Sequence, residues 1–204
     1  MTHFNSIAND AVIDRTARAL EANGFKVEIA KDGEAARKTV LSTLPKGAEV
    51  LTVTSQTLET IGLATSINDS GEYDAVRPKI NALWGDPSKK GEQRKLGAAP
   101  DYVVGSVHAL THDGHALVAS ATGSQLPAYA YGAGQVIWVV GAQKIVKDMD
   151  EAKERLESHV FPLENERAKK AYGSGSGINK LLTINKEVAA GRIHVVIVKQ
   201  ALGF

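Results

Sequence analysis

The stretch from Asp101 to Asp148 constrains the fold more than any other part of the chain. It contains three apolar runs of the kind that form β-strands, separated by clusters of glycine, threonine, serine and histidine. Short apolar runs bounded by turn-forming residues predict strands. In open α/β sheets ligands bind at the ends of the strands, which is where these polar clusters fall. We therefore expect the functional site of this chain in this stretch.

The segments on either side predict helices that alternate with strands. The strand predicted at 49–53 is mostly apolar, as strands are when helices cover both faces of a parallel sheet. In order, the pattern predicts helix 6–22 capped by Asn5 or Ser6, strand 25–30, helix 32–44, strand 49–53, an exposed helix or loop at 87–96, helices 148–160 and 163–172, and strand 193–198. The length fits one α/β domain over residues 1–204, with an N-terminal helix within 1–24 and the core at 25–204.

Composition and charge exclude several classes of function. The net charge is +1 without a basic block, so we expect no nucleic-acid partner. The chain has no cysteine, which excludes disulfides, thiolate metal sites, a cysteine nucleophile and bound iron–sulfur clusters. The longest apolar run, Val136 to Ala142, is too short to span a membrane, and the N-terminal residues lack the pattern of a signal peptide. We expect a cytoplasmic protein that does not associate with membranes.

A cluster of hydroxyl side chains marks the change from strand to helix after residue 53. A helix that begins there presents free N–H groups suited to an anion, so Thr54, Ser55 and Thr57 are candidate ligand-binding residues. The same residues are also ordinary helix caps. Glu59 follows within the helix and is a candidate general base if burial raises its pKa. It can equally be a surface carboxylate.

Three histidines surround a predicted β-hairpin. Asp113 and Gly114 indicate a two-residue turn, which would place His112 and His115 about 5 Å apart as a cross-strand pair. His108 would then lie about 13 Å from His112 along an extended strand. This geometry disfavours a shared metal ion, and we expect neither a metal nor a cofactor. His108 stays a candidate catalytic residue because it lies where a strand meets polar residues.

Further ligand-binding candidates follow the hairpin. Gly123, Ser124 and Gln125 resemble a short cradle for a phosphate or carboxylate, although an ordinary loop fits the same residues. Lys144 follows the strand around Trp138 and can bind an anion or face solvent. Thr111 is the remaining candidate for ligand binding.

Several motifs together resemble the lactate-utilisation (LUD) domain family over nearly the whole chain. They are Ala30-Lys-Asp-Gly-Glu-Ala-Ala, Ser55-Gln-Thr-Leu-Glu-Thr-Ile-Gly-Leu, Leu110-Thr-His-Asp-Gly, Thr122-Gly, Tyr131-Gly, Val140-Gly-Ala-Gln-Lys-Ile-Val-Lys-Asp and Gly191-Arg-Ile-His-Val-Val-Ile-Val. The resemblance implies a three-layer Rossmann-like α/β sheet of the sugar-phosphate isomerase and CoA-transferase type. It also implies lactate oxidation together with iron–sulfur protein partners. Self-association into a homo-oligomer stays open.

The sequence departs from the family pattern at four places. His108-Ala-Leu-Thr111 stands where relatives have Asn-Ala-x-Thr, Gly123-Ser-Gln125 where they have Gly-Asn-Arg, and Gln143-Lys where they have Asn-Lys. The cysteine-rich segment that precedes the ending in many relatives is replaced by Gly173-Ser-Gly-Ser-Gly-Ile-Asn-Lys. An iron–sulfur role is therefore excluded for this chain, and the resemblance leaves its ligand open.

Three functions compete at this point. The first is a LUD-domain protein of organic-acid metabolism that binds a small anionic metabolite at the strand ends. The second is a stand-alone enzyme of the isomerase or lyase type in which His108 and Glu59 transfer protons and Lys144 stabilises an oxyanion. The third is a non-catalytic partner subunit of an oxidoreductase complex. The three functions differ in the role that they give to the residues at the strand ends.

Overall fold

A six-stranded parallel sheet forms the centre of the computed structural model, which describes residues 3–204. Across the sheet the strands are β1 (Lys26–Ala30), β10 (Ile193–Val198), β7 (Gln135–Gly141), β4 (Tyr102–Gly105), β2 (Glu49–Thr52) and β3 (Asp74–Ala75). Every neighbouring pair is parallel. The carboxyl ends of these strands therefore meet at one edge of the sheet, and polar residues that follow them come close together.

Helices cover both faces of this sheet. One face carries α1 (Asp10–Ala22), α5 (Val76–Ala82) and α6 (Lys90–Ala98), and the other carries α2 (Gly33–Thr43), α3 (Gln56–Thr60) and α4 (Leu63–Asn68). Alternate side chains of β7 enter the two apolar clusters, Val136 and Trp138 on the first face and Ile137 and Val139 on the second. The predicted three-layer Rossmann-like α/β architecture with a helix at its N-terminal side is confirmed.

A second, smaller sheet lies beside the first. Its strands are β8 (Ile145–Val146), β5 (Ala109–Thr111), β6 (Ala116–Ser120) and β9 (Lys180–Ile184). One side of this sheet joins the first apolar cluster through Leu110 and Val118, and the other packs on α7 (Met149–Arg155) through Ala109 and Leu117. The small sheet thereby places the segment between β4 and β5 against the edge where the parallel strands end.

Two helix predictions need correction. Helix α1 begins at Asp10, not at residue 6, and its cap is Asn9, whose side chain accepts a hydrogen bond from the Val12 N–H at 3.0 Å. The predicted caps Asn5 and Ser6 lie before it. The two helices predicted at 148–160 and 163–172 form one continuous helical segment. Helix α7 continues through a π-helical turn at Leu156–Val160 into α8 (Phe161–Tyr172).

The hairpin and the strand after it also differ from the prediction. Its loop has three residues rather than two, since the Thr111 N–H donates to the His115 carbonyl and the Gly114 N–H to the Thr111 carbonyl, both at 2.9 Å. Gly114 has φ 81°, and a Cβ there would lie 2.5 Å from the Ala19 carbonyl carbon, so only glycine fits this turn against α1. Strand β9 was not predicted, because it is a mostly exposed edge strand.

The first two residues, Met1 and Thr2, lie outside the described residues, together with the part of the domain prediction that covers them. Within residues 3–204, no helix combines the length and the apolar character needed to cross a bilayer.

Candidate functional site

Lys144 lies at the centre of the edge where the parallel strands end. It is the last residue of a 3₁₀ turn, Ala142–Lys144, that follows β7 directly, and its side chain is only 3% exposed. Its Nζ donates to Thr57 Oγ1 at 3.0 Å, to Ser106 Oγ at 3.2 Å and to the Val107 carbonyl at 3.3 Å. An ammonium group has three donors, and all three therefore have acceptors within the protein.

The two hydroxyl partners of Lys144 come from neighbouring strand ends. Ser106 follows β4 immediately, and Thr57 lies in the first turn of α3 after β2. The two hydroxyl oxygens are 3.4 Å apart, and Thr57 Oγ1 also donates to the Leu202 carbonyl at 3.2 Å. Strands β2, β4 and β7 are neighbours in the sheet, so their ends supply one polar cluster around the lysine.

Burial changes the charge state of this lysine. Desolvation, with the nearby charge of Arg155 as a smaller contribution, lowers the pKa of Lys144 to about 7. A charged group taken out of water normally loses its charge or gains a partner of opposite charge. No carboxylate among the described residues raises this pKa, so Lys144 exchanges between the ammonium and the neutral amine near neutral pH.

Arg155 is a second buried cation near the same site. Its side chain is fully buried, and Nη1 donates to the His108 carbonyl at 2.7 Å. Its Nε and Nη2 have no hydrogen-bond partner among the described residues, and burial lowers the pKa of Arg155 to about 10. These two nitrogens form one edge of the guanidinium, the geometry that binds both oxygens of a carboxylate or phosphate. This edge of Arg155 is therefore buried without a hydrogen-bond partner among the described residues.

His108 is near both cations, whose charges act on its imidazole. Its Nδ1 accepts a hydrogen bond from the Ala119 N–H at 3.1 Å, which fixes the neutral tautomer with the proton on Nε2. Burial, with the charges of Lys144 and Arg155, lowers the pKa of His108 to about 3. The predicted role of general base stays untested, and these contacts do not favour it, because Nδ1 already accepts a hydrogen bond and Nε2 carries the proton. In this state His108 offers an N–H donor.

The segment 200–204 closes the site from one side. Gln143 Nε2 donates to the Leu202 carbonyl at 2.9 Å and to the Gly203 carbonyl at 3.3 Å. Leu202 also lines an open surface hollow of about 410 Å³ together with Asp32, Gly33, Glu34, Arg37, Thr60, Ile61 and Gln200. The segment thus separates this hollow from Thr57 and Lys144.

The other predicted residues of the hydroxyl cluster do not reach Lys144. Thr54 is exposed, and Ser55 begins α3 without a side-chain capping bond. Glu59 is exposed on α3, so the burial that its proposed role as a general base required is absent. The catalytic role of Glu59 stays a prediction that this exposed position does not support.

The predicted glycine cradle forms a separate cluster that adjoins His108. The Gly123 N–H donates to Ser120 Oγ at 2.8 Å, and Gln125 Nε2 donates to the Ala119 carbonyl at 3.3 Å. Ala119 also donates its N–H to His108, so Gln125 and His108 bind the two backbone groups of the same residue. No hydrogen bond joins Gly123, Gln125 or the exposed Ser124 to Lys144 among the described residues.

Thr111 stabilises the hairpin and does not contact the Lys144 cluster. Its Oγ1 bonds to the Asp113 carboxylate and accepts from the His115 N–H at 2.9 Å. Because the loop has three residues, Thr111 lies opposite His115, and the predicted pairing of His112 with His115 is wrong by one position. Within residues 3–204 no group of three potential metal ligands is close enough to hold an ion.

Sequence reasoning missed three residues of the candidate site, Ser106, Arg155 and Gln143. Gln143 had been noted only as a departure from the family pattern. Ser106 had a usable signal, since it follows β4 as Lys144 follows β7. Arg155 had none, because an arginine in an amphipathic helix normally faces solvent.

Comparison with known proteins addresses the family and the fold. The family model described as the LUD domain matches residues 13–198. The fold is similar to a crystal structure described as a DUF162 family protein from Deinococcus radiodurans, with a TM-score of 0.55, 14% sequence identity, and coverage of 95% of this chain and 99% of that chain. No curated protein matches the sequence. At this identity the structural similarity supports the fold.

Proposed function

Because the chain belongs to the LUD domain family, a lactate-utilisation type of domain, we propose that it serves organic-acid metabolism by binding a small anionic metabolite at the strand ends. The binding residues in this proposal are Lys144, Arg155 and the hydroxyl groups of Thr57 and Ser106. The position agrees with the general rule that open α/β sheets bind ligands outside the carboxyl ends of their strands.

The observation that carries the proposal is the pair of buried cations without a counter-charge. Lys144 and Arg155 are 3% and 0% exposed, and no carboxylate of the described residues is paired with either. Burial of an unpaired ion costs several kcal/mol even after the protein relaxes. A bound anion offsets that penalty, which gives the site its affinity for negative charge.

The form of the site favours a carboxylate of small size. The free edge of Arg155, formed by Nε and Nη2, matches the two oxygens of a carboxylate. The hydroxyl groups near Lys144 and the His108 Nε2–H can bind a hydroxyl or carbonyl oxygen next to that carboxylate. A short 2-hydroxy or 2-oxo acid, of the size of lactate or pyruvate, presents this combination of groups.

Calorimetric titration tests the proposal directly. We expect binding heat with L-lactate or pyruvate, and none with lactamide, which has the shape of lactate without its charge. The variant Lys144→Met should lose this heat. The control Lys147→Met should keep it, since Lys147 is an exposed residue whose ion pair with Asp148 at 3.4 Å is also exposed.

The titration also separates the competing functions. Heat with sugar phosphates and none with the carboxylic acids would overturn the lactate-type assignment. Absence of heat with every anion would overturn the proposal and favour a partner subunit, for which retention of an iron–sulfur protein on the immobilised chain is the corresponding measurement. The enzyme that pairs His108 with Glu59 receives no support, since Glu59 is exposed.

A further inference from the structure

Lys144 has a chemical capacity that anion binding alone does not require. A cation that only attracts a carboxylate works best when it stays charged, as an arginine does. Here the strand end presents a lysine, buried to 3% exposure and surrounded by two hydroxyl groups and one carbonyl. Buried lysines in such surroundings are used elsewhere as amine nucleophiles toward carbonyl compounds.

We propose that Lys144 Nζ forms a reversible imine with the carbonyl carbon of a short 2-oxo acid, while Arg155 binds the carboxylate of that acid. This inference rests on the proposed function, because it names the substrate class and the chemistry of the same site. It assigns different tasks to the two buried cations. Arg155 holds the charge of the acid, and Lys144 reacts.

The step balances without an oxidant or a reductant. The lone pair of neutral Nζ forms a C–N bond to the carbonyl carbon, and the π electrons move to the carbonyl oxygen, which takes up a proton. The nitrogen releases one proton, which gives the neutral carbinolamine. Its hydroxyl group takes up a proton and leaves as water when the C–O bond breaks, while the nitrogen lone pair forms the C=N bond and the nitrogen gives up its remaining proton. The products are an imine and one water molecule, and hydrolysis reverses every step.

The neighbouring groups fit the proton transfers of this sequence. Ser106 Oγ and Thr57 Oγ1 lie 3.2 and 3.0 Å from Nζ, within the reach needed to pass a proton to or from the nitrogen. The neutral tautomer of His108 offers its Nε2–H to an oxygen that gains negative charge, as a neutral histidine does in other enzymes.

Accessibility and charge state support the same conclusion. Ser106, which accepts a hydrogen bond from Nζ, is partly exposed, so the hydroxyl side of the cluster borders the surface. Burial keeps the pKa of Lys144 at about 7, so that a substantial fraction of the amine is neutral and nucleophilic at neutral pH. An exposed lysine, with its ordinary pKa near 10.4, is almost entirely protonated there.

Borohydride trapping with pyruvate tests the inference. The intact protein is incubated with pyruvate and reduced, and the modified lysine is located by mass spectrometry of peptides. We expect a mass increase equal to pyruvate less one oxygen atom, confined to Lys144. Added L-lactate, which has a hydroxyl group in place of the ketone of pyruvate and cannot form an imine, should suppress the trapping by competition.

Matched variants complete the experiment. Lys144→Met should lose the modification entirely, and Lys147→Met should retain it at the wild-type level. Peptide mapping of the wild-type protein gives the answer independently if Lys144→Met fails to fold.

The outcomes separate this inference from the function on which it rests. Calorimetric binding of pyruvate without trapping at Lys144 would overturn the imine and leave anion binding intact. Equal modification of several exposed lysines, unaffected by L-lactate, would likewise overturn it. Absence of binding heat with both pyruvate and L-lactate would overturn both, whereas heat with L-lactate but not with pyruvate would overturn the imine alone.

Discussion

Lys144 and Arg155 donate hydrogen bonds to consecutive carbonyl groups of the chain, those of Val107 and His108, at 3.3 and 2.7 Å. One residue follows the central strand β7, and the other lies at the end of α7. The short connection from β4 to β5 therefore holds both cations in place. Their separation is fixed by a backbone segment rather than by an acidic side chain between them, which leaves their charge available to a ligand.

The first prediction concerns the cost of the buried guanidinium. The variant Arg155→Met should abolish lactate binding while leaving the unfolding free energy of the anion-free protein unchanged or up to about 4 kcal/mol higher, because replacing a buried charge by an apolar side chain removes its desolvation penalty. Urea denaturation with and without lactate measures both effects. The control Lys153→Met alters an exposed lysine of the same helix and should change neither. Retained lactate binding by Arg155→Met would contradict the assignment.

The second prediction separates binding from imine formation by pH. Anion binding gains from the ammonium form of Lys144, and the pKa of that group is about 7. The affinity for L-lactate should therefore decrease as the pH rises above about 7, by at most about tenfold per pH unit. Trapping with pyruvate needs the neutral amine and should increase over the same range. Calorimetry and mass spectrometry at matched pH values test this contrast, and parallel changes in the two signals would refute it.

The third prediction concerns acid stability. The pKa of His108 is lowered from 6.5 to about 3, so the unfolded chain binds a proton in this interval while the folded chain does not. The unfolding free energy should therefore fall as the pH falls from about 6.5 to about 3, by up to about 1.4 kcal/mol per pH unit from this group.

Other histidines contribute to the same trend, so the informative quantity is a difference in pH dependence between proteins. The pKa values of His112, His159 and His194 are also lowered, with burial as the largest cause. The pH dependence of stability should be shallower in His108→Gln than in the wild type, and His115→Gln at the hairpin serves as the comparison. Identical slopes in His108→Gln and wild type would show that His108 is not buried as described.

The fourth prediction tests the segment that closes the site. Gly203 has φ 63°, and a Cβ there would lie 2.6 Å from Thr57 Oγ1. Gly191 also has a positive φ, 78°, but a Cβ there meets nothing within 4 Å. Both alanine variants carry backbone strain of about 1–2 kcal/mol, and Gly203→Ala should lose further stability and weaken lactate binding because the clash displaces Thr57. Equal effects of the two substitutions on denaturation and calorimetry would show that the segment does not press on Thr57.

The buried strands of the large sheet were predictable from the sequence because they are short apolar runs with turn residues at both ends, whereas the exposed edge strand β9 was not. The boundaries failed where the decisive interaction is a single side chain, as at Asn9, which caps α1 in place of Asn5 or Ser6. The π-helical turn Leu156–Val160, which joins two predicted helices into one, leaves no pattern in the apolar spacing. Local periodicity reports which side chains are buried, and it carries little information about such irregularities.

The candidate site was predictable only in part. Lys144 and Thr57 were identified because each follows an apolar strand, and the ends of neighbouring parallel strands lie together in any sheet of this kind. The burial that the role of Glu59 requires could not be judged from the sequence, because the face that a short helix buries depends on its packing partners. Arg155 was missed because its burial arises from the contact of α7 with the small sheet, which no spacing within the helix reveals.

The contact between Thr57 Oγ1 and the Leu202 carbonyl joins residues that are 145 positions apart in the chain. Closing so long a loop is slow compared with the formation of local helices and hairpins. The lysine is therefore enclosed only when the C-terminal segment has returned to the start of α3, a closure as long-range as the pairing of β1 with β10. A fluorescent or isotopic label placed at Leu202 would report the completion of the whole molecule rather than the history of any one part of it.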